Sequence, residues 1–181
     1  MRLNIINGNS SRTQTVLAEI EKCGIADYKL WEGVRLPSVK KSINLAHKKI
    51  VEYAYENDLP YVIIAEDDFK STHSDSWKFY LSNFPKEFDL YLGGIFLGDL
   101  DENNMVKEFT GLTLYSVSKR YYPTFLSVPD SEHIDHSLSK EGGVFKVCNP
   151  FPFIQYDGVS SNTGKYESYG EMFKYRRLFA K

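Results

Sequence analysis

Apolar residues recur along this chain in two rhythms, one of strand type and one of helix type. "LNII" at residues 3 to 6 reads as a short buried strand, and "NGNSS" follows as a turn. Val16, Leu17, Ile20 and Cys23 then share one face of a helix. Ser10 or Ser11 is placed to cap that helix and Gly24 to stop it. "YKLWEGV" is a second strand ending at Gly33. Pro37 and Ser38 open a long helix, with Ile43, Ala46, Ile50, Val51 and Ala54 at helical spacing to about Asn57. "PYVIIAE" is a third strand, and its unbroken apolar run predicts burial on both faces, as in a parallel sheet. Trp77, Tyr80, Leu81 and Phe84 mark another helix, and "FDLYLGGIFL" a fourth strand.

Strand and helix thus alternate through the first half, which predicts an α/β layer fold with a mostly parallel sheet flanked by helices. The second half is less regular. "GDLDENN" is a surface loop, "FTGLTLYSVS" a strand, and "KRYYPTFL" a helix with Pro123 in its first turn or at a kink. "IDHSLSK" is a short helix and "VFKVCNPFPF" a last strand or two. The tail turns polar and Gly/Ser-rich, then basic and aromatic; "KYRRLFAK" reads as a solvated or interfacial helix. We expect one domain over 1–181, with a nucleotide-binding half at about 1–98 and an acceptor or closing half at about 99–181.

Charge narrows the function classes. The net charge is -2 and the pI about 6.1, so the basic excess of a general nucleic-acid binder is missing. The two cysteines, Cys23 and Cys148, lie beside apolar segments and read as reduced core thiols. No stretch approaches the ~20 apolar residues of a membrane span, and no signal-peptide core is seen, so the expected location is cytoplasmic.

The chemistry gathers where the third strand ends. Glu66, Asp67 and Asp68 are adjacent carboxylates at the carboxyl end of the most apolar strand. Ligands of open α/β sheets bind beyond that end. Either the triplet is a charged turn, or a hard cation such as Mg2+ or Mn2+ offsets its repulsion.

The motifs, taken in order, resemble glycosyltransferase family 25, the lipooligosaccharide galactosyltransferase type with a GT-A-like, Rossmann-like fold. "YVIIAEDDF" looks like that family's acidic strand. "LNIINGNSSRTQTVLAEIEKCGIADYKLWEGV" resembles its opening, and "LPSVKKSINLAHKKIVEYAYENDLPYVIIAEDDF" its next block. "FDLYLGG", "TGLTLYSVSKRYYPTFL", "HIDHSLS" and "NPFPFIQYDGVSS" are similar to the segments that follow.

The resemblance implies a glycosyltransferase that moves a sugar from a nucleotide-sugar donor, a UDP-sugar, to a saccharide or other hydroxyl acceptor, with inversion. It implies Asp68 as metal ligand, with Glu66 facing ribose or sugar and Asp67 reaching the metal or its waters. Asn7 and Arg12 match positions near the nucleotide, and Arg12 reads either as a phosphate contact or as a solvated first-turn residue. Asp135 matches the family's later Asp, as general base or as helix cap. Nearby His133 and His136 are metal ligands or simply polar. Gln155, Asp157 and Ser160 match the closing segment and either line the donor site or form turns. Tyr91, Gly93 and Gly94 either let a sugar approach the backbone or turn the chain.

One departure stands out. The family often has a Ser-His pair before the acidic strand; here Ser42 and His47 are separated by a longer interval. That departure and the short chain keep open a non-catalytic nucleotide- or sugar-binding module of the same fold, and the adjacent Asp67 and Asp68, which can hold catalytic Mg2+, keep open a metal-dependent phosphohydrolase.

Overall fold

The computed structural model describes residues 1–160 and 163–179. The first strand, β1 (Leu3–Asn7), runs into a short 3-10 turn at Ser10–Arg12 and then α1 (Thr13–Lys22). The cap here is Asn9, whose side chain accepts from Ser11 N, rather than Ser10 or Ser11. β2 (Tyr28–Glu32) and α2 (Val39–Glu56) follow, and Ser38 caps α2 by accepting from Lys41 N. The acidic strand is β3 (Tyr61–Glu66). A short strand that hydrophobic patterning does not reveal, β4 (Phe69–Ser71), comes directly after the carboxylates. Then come α3 (Ser76–Ser82), β5 (Leu90–Leu92), β6 (Leu114–Ser118), α4 (Tyr122–Ser127) and α5 (Ile134–Glu141). Pro123 sits in the first turn of α4, where its missing N–H costs nothing. The chain closes with β7 (Phe145–Val147), β8 (Phe153–Gln155), β9 (Gly158–Val159), β10 (Tyr166–Glu167) and α6 (Tyr169–Met172).

Six strands form one sheet in the order β2-β1-β3-β6-β5-β7. β6 alone runs against the rest, so the sheet is mostly parallel. The alternating pleat splits the core in two. Leu3, Ile5, Ile63 and Ala65 pack toward α1 and α3. Ile6, Val62 and Ile64 pack toward α2 and α4 with Ile50, Ala54 and Phe125. β3 is therefore buried on both faces, as its apolar run predicted. Cys23 and Cys148 are free and buried. No helix among the described residues is long and apolar enough to cross a membrane.

Three expectations need correction. The strand read over "FDLYLGGIFL" is only Leu90–Leu92, and it is not a neighbour of β3, because β6 lies between them. Gly93 and Gly94 are used by the protein itself: Phe153 N donates to Gly93 O, and a Cβ on Gly94 would sit 2.2 Å from Phe153 O. The basic tail is not a helix over its described part. Arg176 donates to the Phe96 and Gly98 carbonyls, Phe179 N donates to Phe151 O, and Phe179 stacks on Phe79. Its long side chains find partners in the body of the fold, which holds the segment as a strap. Ala180 and Lys181, the end of that tail, and Ser161 and Asn162 in the "DGVSS" loop region lie outside the described residues.

Candidate functional site

β1, β2 and β3 are parallel, so their carboxyl ends reach the same edge of the sheet. There the loops after β1 and β2 come together, with Gly33 N donating to Asn7 O at 3.3 Å. A Cβ on Gly33 would lie 2.6 Å from Gly8 Cα, so this approach needs glycine. Beyond this edge opens a cleft of about 320 Å³. Glu66, Asp67 and Asp68 lie in it, joined by Arg12, Gln155 and Ser160. Residues from both ends of the sequence thus meet in one place.

The acidic triplet is not a turn between strand and helix. It links β3 to β4, and β4 pairs with β8 so that Phe69 faces Gln155. That pairing carries Gln155 to Asp68, and its Nε2 donates to Asp68 Oδ2 at 2.8 Å. Asp67 Oδ2 accepts from Asn9 N at 2.7 Å. Arg12 Nη1 donates to Asp67 Oδ1 and Asp68 Oδ2, each at 2.8 Å, and Nη2 donates to Val159 O at 2.9 Å. Arg12 is thus not a solvated helix residue: it ties two of the three acids to the β9 strand at the wall of the cleft. Arg12 is the last residue of the 3-10 turn that Asn9 caps, directly before α1.

Glu66 is held differently. His47 lies on α2 with only 1% of its surface exposed. Its Nε2 is 3.2 Å from Glu66 Oε1 and its Nδ1 is 2.6 Å from the Tyr115 hydroxyl. With Glu66 ionised, Nε2–H donates to the carboxylate and the Tyr115 O–H donates to Nδ1. Tyr115 is itself fixed by stacking on Phe125, with centroids 6.2 Å apart.

The electrostatics of the cleft follow from burial. Burial and repulsion from Asp67 and Asp135 push the Glu66 carboxyl up to about 8. Burial and Glu66 push Asp68 up to about 7, against the pull of Arg12. Burial holds His47 down at about 4, so its ring is neutral at pH 7. Asp68 Oδ1 is buried and has no hydrogen-bond partner among the described residues. A buried acceptor left in this state is costly, and a cation or a donor group would relieve it.

Other residues singled out from the sequence fall elsewhere. Asn7 donates from Nδ2 to Thr13 Oγ1 at 3.0 Å, which braces the loop under the cleft. Asp135 is in the first turn of α5, outside the cleft lining. Its Oδ2 accepts from Gly111 N and its Oδ1 from His136 N, each at 2.9 Å. Asp157 accepts from Gly170 N and so secures the start of α6 rather than the donor site. His133 and His136 have ring centroids 5.8 Å apart. Among the described residues no three His, Cys, Asp or Glu side chains converge as a ready metal site.

Three cleft features escaped sequence reading. Tyr115 lies 68 positions from His47, inside a fully buried strand with no local signal. Tyr169, brought in by the tail, lines the cleft and stacks on Phe96 with centroids 5.2 Å apart. Arg35, at the rim, makes no ion pair among the described residues, and Leu36 and Val39 beside it are exposed apolar side chains.

No protein-family model matches this chain, and no curated protein matches it by sequence. Solved structures do match its fold. HddC from Yersinia pseudotuberculosis, complexed with GMP-PN, is similar with a TM-score of 0.51 and 16% identity, covering 81% of this chain and 88% of that one. A197 from STIV is similar with a TM-score of 0.56 and 13% identity, covering 91% of this chain and 92% of that one. These likenesses place the chain among mixed α/β proteins with a Rossmann-like sheet.

Proposed function

We propose that this chain is a metal-dependent glycosyltransferase of the family 25 type, taking a nucleotide-sugar donor, a UDP-sugar, in the cleft beyond β1, β2 and β3. One observation carries the reading. Arg12, the acidic triplet, Gln155 and Ser160, drawn from distant parts of the sequence, line a single cleft at the ligand-binding edge of a parallel sheet. The fold neighbour HddC was solved with GMP-PN, which supports a nucleotide as the first ligand to test.

The donor set fits a small hard cation. Such an ion takes one or two carboxylates and completes its shell with waters and substrate phosphates. Asp68, with its orphaned Oδ1, is the first ligand, and Glu66 or Asp67 reaches the ion or its waters. When bound, Mg2+ or Mn2+ supplies positive charge to offset the departing diphosphate. Arg12 keeps Asp67 and Asp68 oriented, and Gln155 holds Asp68 from the other side. The apolar wall of Ile6, Val34 and Ile43 excludes water from one side of the ligand. The acceptor is a saccharide or another hydroxyl compound.

A second reading is a nucleotide- or sugar-binding module without turnover. The position of Asp135 favours it, because both carboxylate oxygens already accept backbone N–H groups outside the cleft lining. Titration calorimetry with UDP and GDP, with and without Mn2+, tests the common part. Metal-dependent binding is expected; nucleotide binding that ignores Mn2+ sinks the first reading, and a folded sample that binds neither nucleotide sinks nucleotide binding in both. Release of UDP from UDP-sugars then separates enzyme from binder.

A further inference from the structure

Of the three acids in the cleft, two are bound to Arg12, and Asp68 keeps one buried oxygen, Oδ1, without a partner among the described residues. Asp67 and Asp68 share Arg12, and each takes a further hydrogen bond, from Asn9 N and from Gln155. Glu66 is the exception. Its Oε1 meets only His47, and its Oε2 accepts no hydrogen bond among the described residues. The side chain keeps 29% of its surface exposed at the cleft. One oxygen is therefore pinned from behind and the other is offered.

The pin is built with care for its own polarity. His47 is buried on α2, and a buried imidazole needs partners at both nitrogens. It has them: Glu66 on one side and the Tyr115 hydroxyl on the other. Tyr115 is fully buried on the central strand β6 and stacked on Phe125. Neither His47 Nε2 nor Tyr115 needs to reach the ligand. Each limits how the carboxyl beyond it can turn.

We propose that His47, backed by Tyr115, is a positioning residue that presents Glu66 Oε2 to a hydroxyl group of the ligand and so sets the hydroxyl selectivity of the cleft. The inference rests on the nucleotide-sugar reading above for the kind of ligand. A carboxyl group pairs with a hydroxyl whether or not it is ionised, and it offers no positive charge to a phosphate, so the group it reads is a ribose hydroxyl or a hydroxyl of the attached sugar. A carboxyl free to rotate would form the same bond with a larger loss of side-chain freedom, and would discriminate less.

The test compares binding of UDP, 2′-deoxy-UDP and UDP-glucose at one fixed Mn2+ concentration by titration calorimetry. Four proteins are used: wild type, His47→Gln, Tyr115→Phe and the double variant His47→Leu/Tyr115→Phe. The double variant removes both buried polar partners together, which folds more readily than leaving one orphaned. Glutamine spans the same gap, donating to Glu66 and accepting from Tyr115. For wild type we expect UDP over 2′-deoxy-UDP by about tenfold, the upper end of what one hydrogen bond contributes. The double variant should bring that ratio to within roughly twofold of unity, while His47→Gln retains most of it. If the ratio that collapses is UDP-glucose over UDP, the hydroxyl is on the sugar, and the proposal stands with that assignment. A double variant that weakens all three probes equally, leaving every ratio as in wild type, shows a merely structural role and overturns it. Wild type that shows no preference in either comparison also overturns it, while the nucleotide reading survives. Folded wild type that binds no probe removes both.

Discussion

Arg12 and Asp68, 56 positions apart in sequence, are joined by a 2.8 Å bond from Nη1 to Oδ2. The same nitrogen serves Asp67. Positive charge from the start of α1 therefore stands between two of the three acids at the end of β3.

Removing that charge leaves two largely buried carboxylates unpaired. Arg12→Gln should lower stability by about 2–4 kcal/mol, below the range for fully buried pairs because the guanidinium is partly exposed. Urea unfolding monitored by circular dichroism measures this. Mn2+ should raise the variant's midpoint more than that of wild type, because the acids lack their internal cation.

Glu19, on α1, is buried and carries a different duty. Its carboxylate accepts from Ser71 N at 2.9 Å, from the Ser71 hydroxyl and from the Tyr156 hydroxyl at 2.6 Å. It thereby ties α1 to β4 and to the segment after β8, the two pieces that hold Asp68 and Gln155. Burial pushes this carboxyl up, and the hydrogen bonds from Ser71 and Tyr156 more than offset it, so it titrates below its ordinary value. A lowered folded value contributes stability above the ordinary carboxylate range, and that stability is lost as pH falls through it. Glu19→Gln should cost about 1–3 kcal/mol at pH 7. Its urea midpoint should converge with that of wild type at acid pH; parallel curves down to pH 3 would contradict the assignment.

Glu66 has the opposite sign. Its folded value, pushed up to about 8, means that the folded chain holds this proton more tightly than the unfolded chain. The contribution is fully present below the ordinary carboxylate range and is lost as pH rises through about 8. In chelator-treated protein, Glu66→Gln should match wild type near pH 4 and become progressively more stable than it toward pH 9. Thermal melts across that range decide the matter.

Two glycines should behave differently for geometric reasons. A Cβ on Gly94 would meet Phe153 O at 2.2 Å, a backbone atom in β8 that has no rotamer to change. Gly94→Ala should cost about 2 kcal/mol or more and weaken nucleotide binding through displacement of Gln155. Gly24 ends α1 at φ +62 with open space around it, so Gly24→Ala should cost only about 1 kcal/mol of backbone strain. Equal losses in denaturant titrations would mean that β8 shifts freely.

The alternating rhythm of the first half made β1, α1, β2, α2 and β3 legible, because each buries one face or both at its own period. Pro123 was legible as either a first-turn residue or a kink, and the structure places it in the first turn. β4 was not, since three residues beside a charged turn carry no period. The tail misled because basic and aromatic residues suit a solvated helix and a packed strap equally. The acidic triplet, Arg12, Gln155 and Ser160 were nominated from the sequence and do meet in one cleft. Asp135 and Asn7 lie outside that lining, spent on Gly111 and Thr13.

The sequence alone determined the layer architecture and the sheet edge at which the three acids fall, since both follow from periodicity and from where the apolar run of β3 stops. Only the tertiary structure decided what each acid does. Hydrogen-bond partners of Glu66, Asp67 and Asp68 come from α2, from the start of α1 and from β8. Such partnerships are set by how strands and helices pack across long intervals, and the spacing of residues along the chain does not encode them. His47 shows this most directly. In sequence it is a histidine on a helix face, and in the folded chain it is the neutral link between Tyr115 and the Glu66 carboxyl.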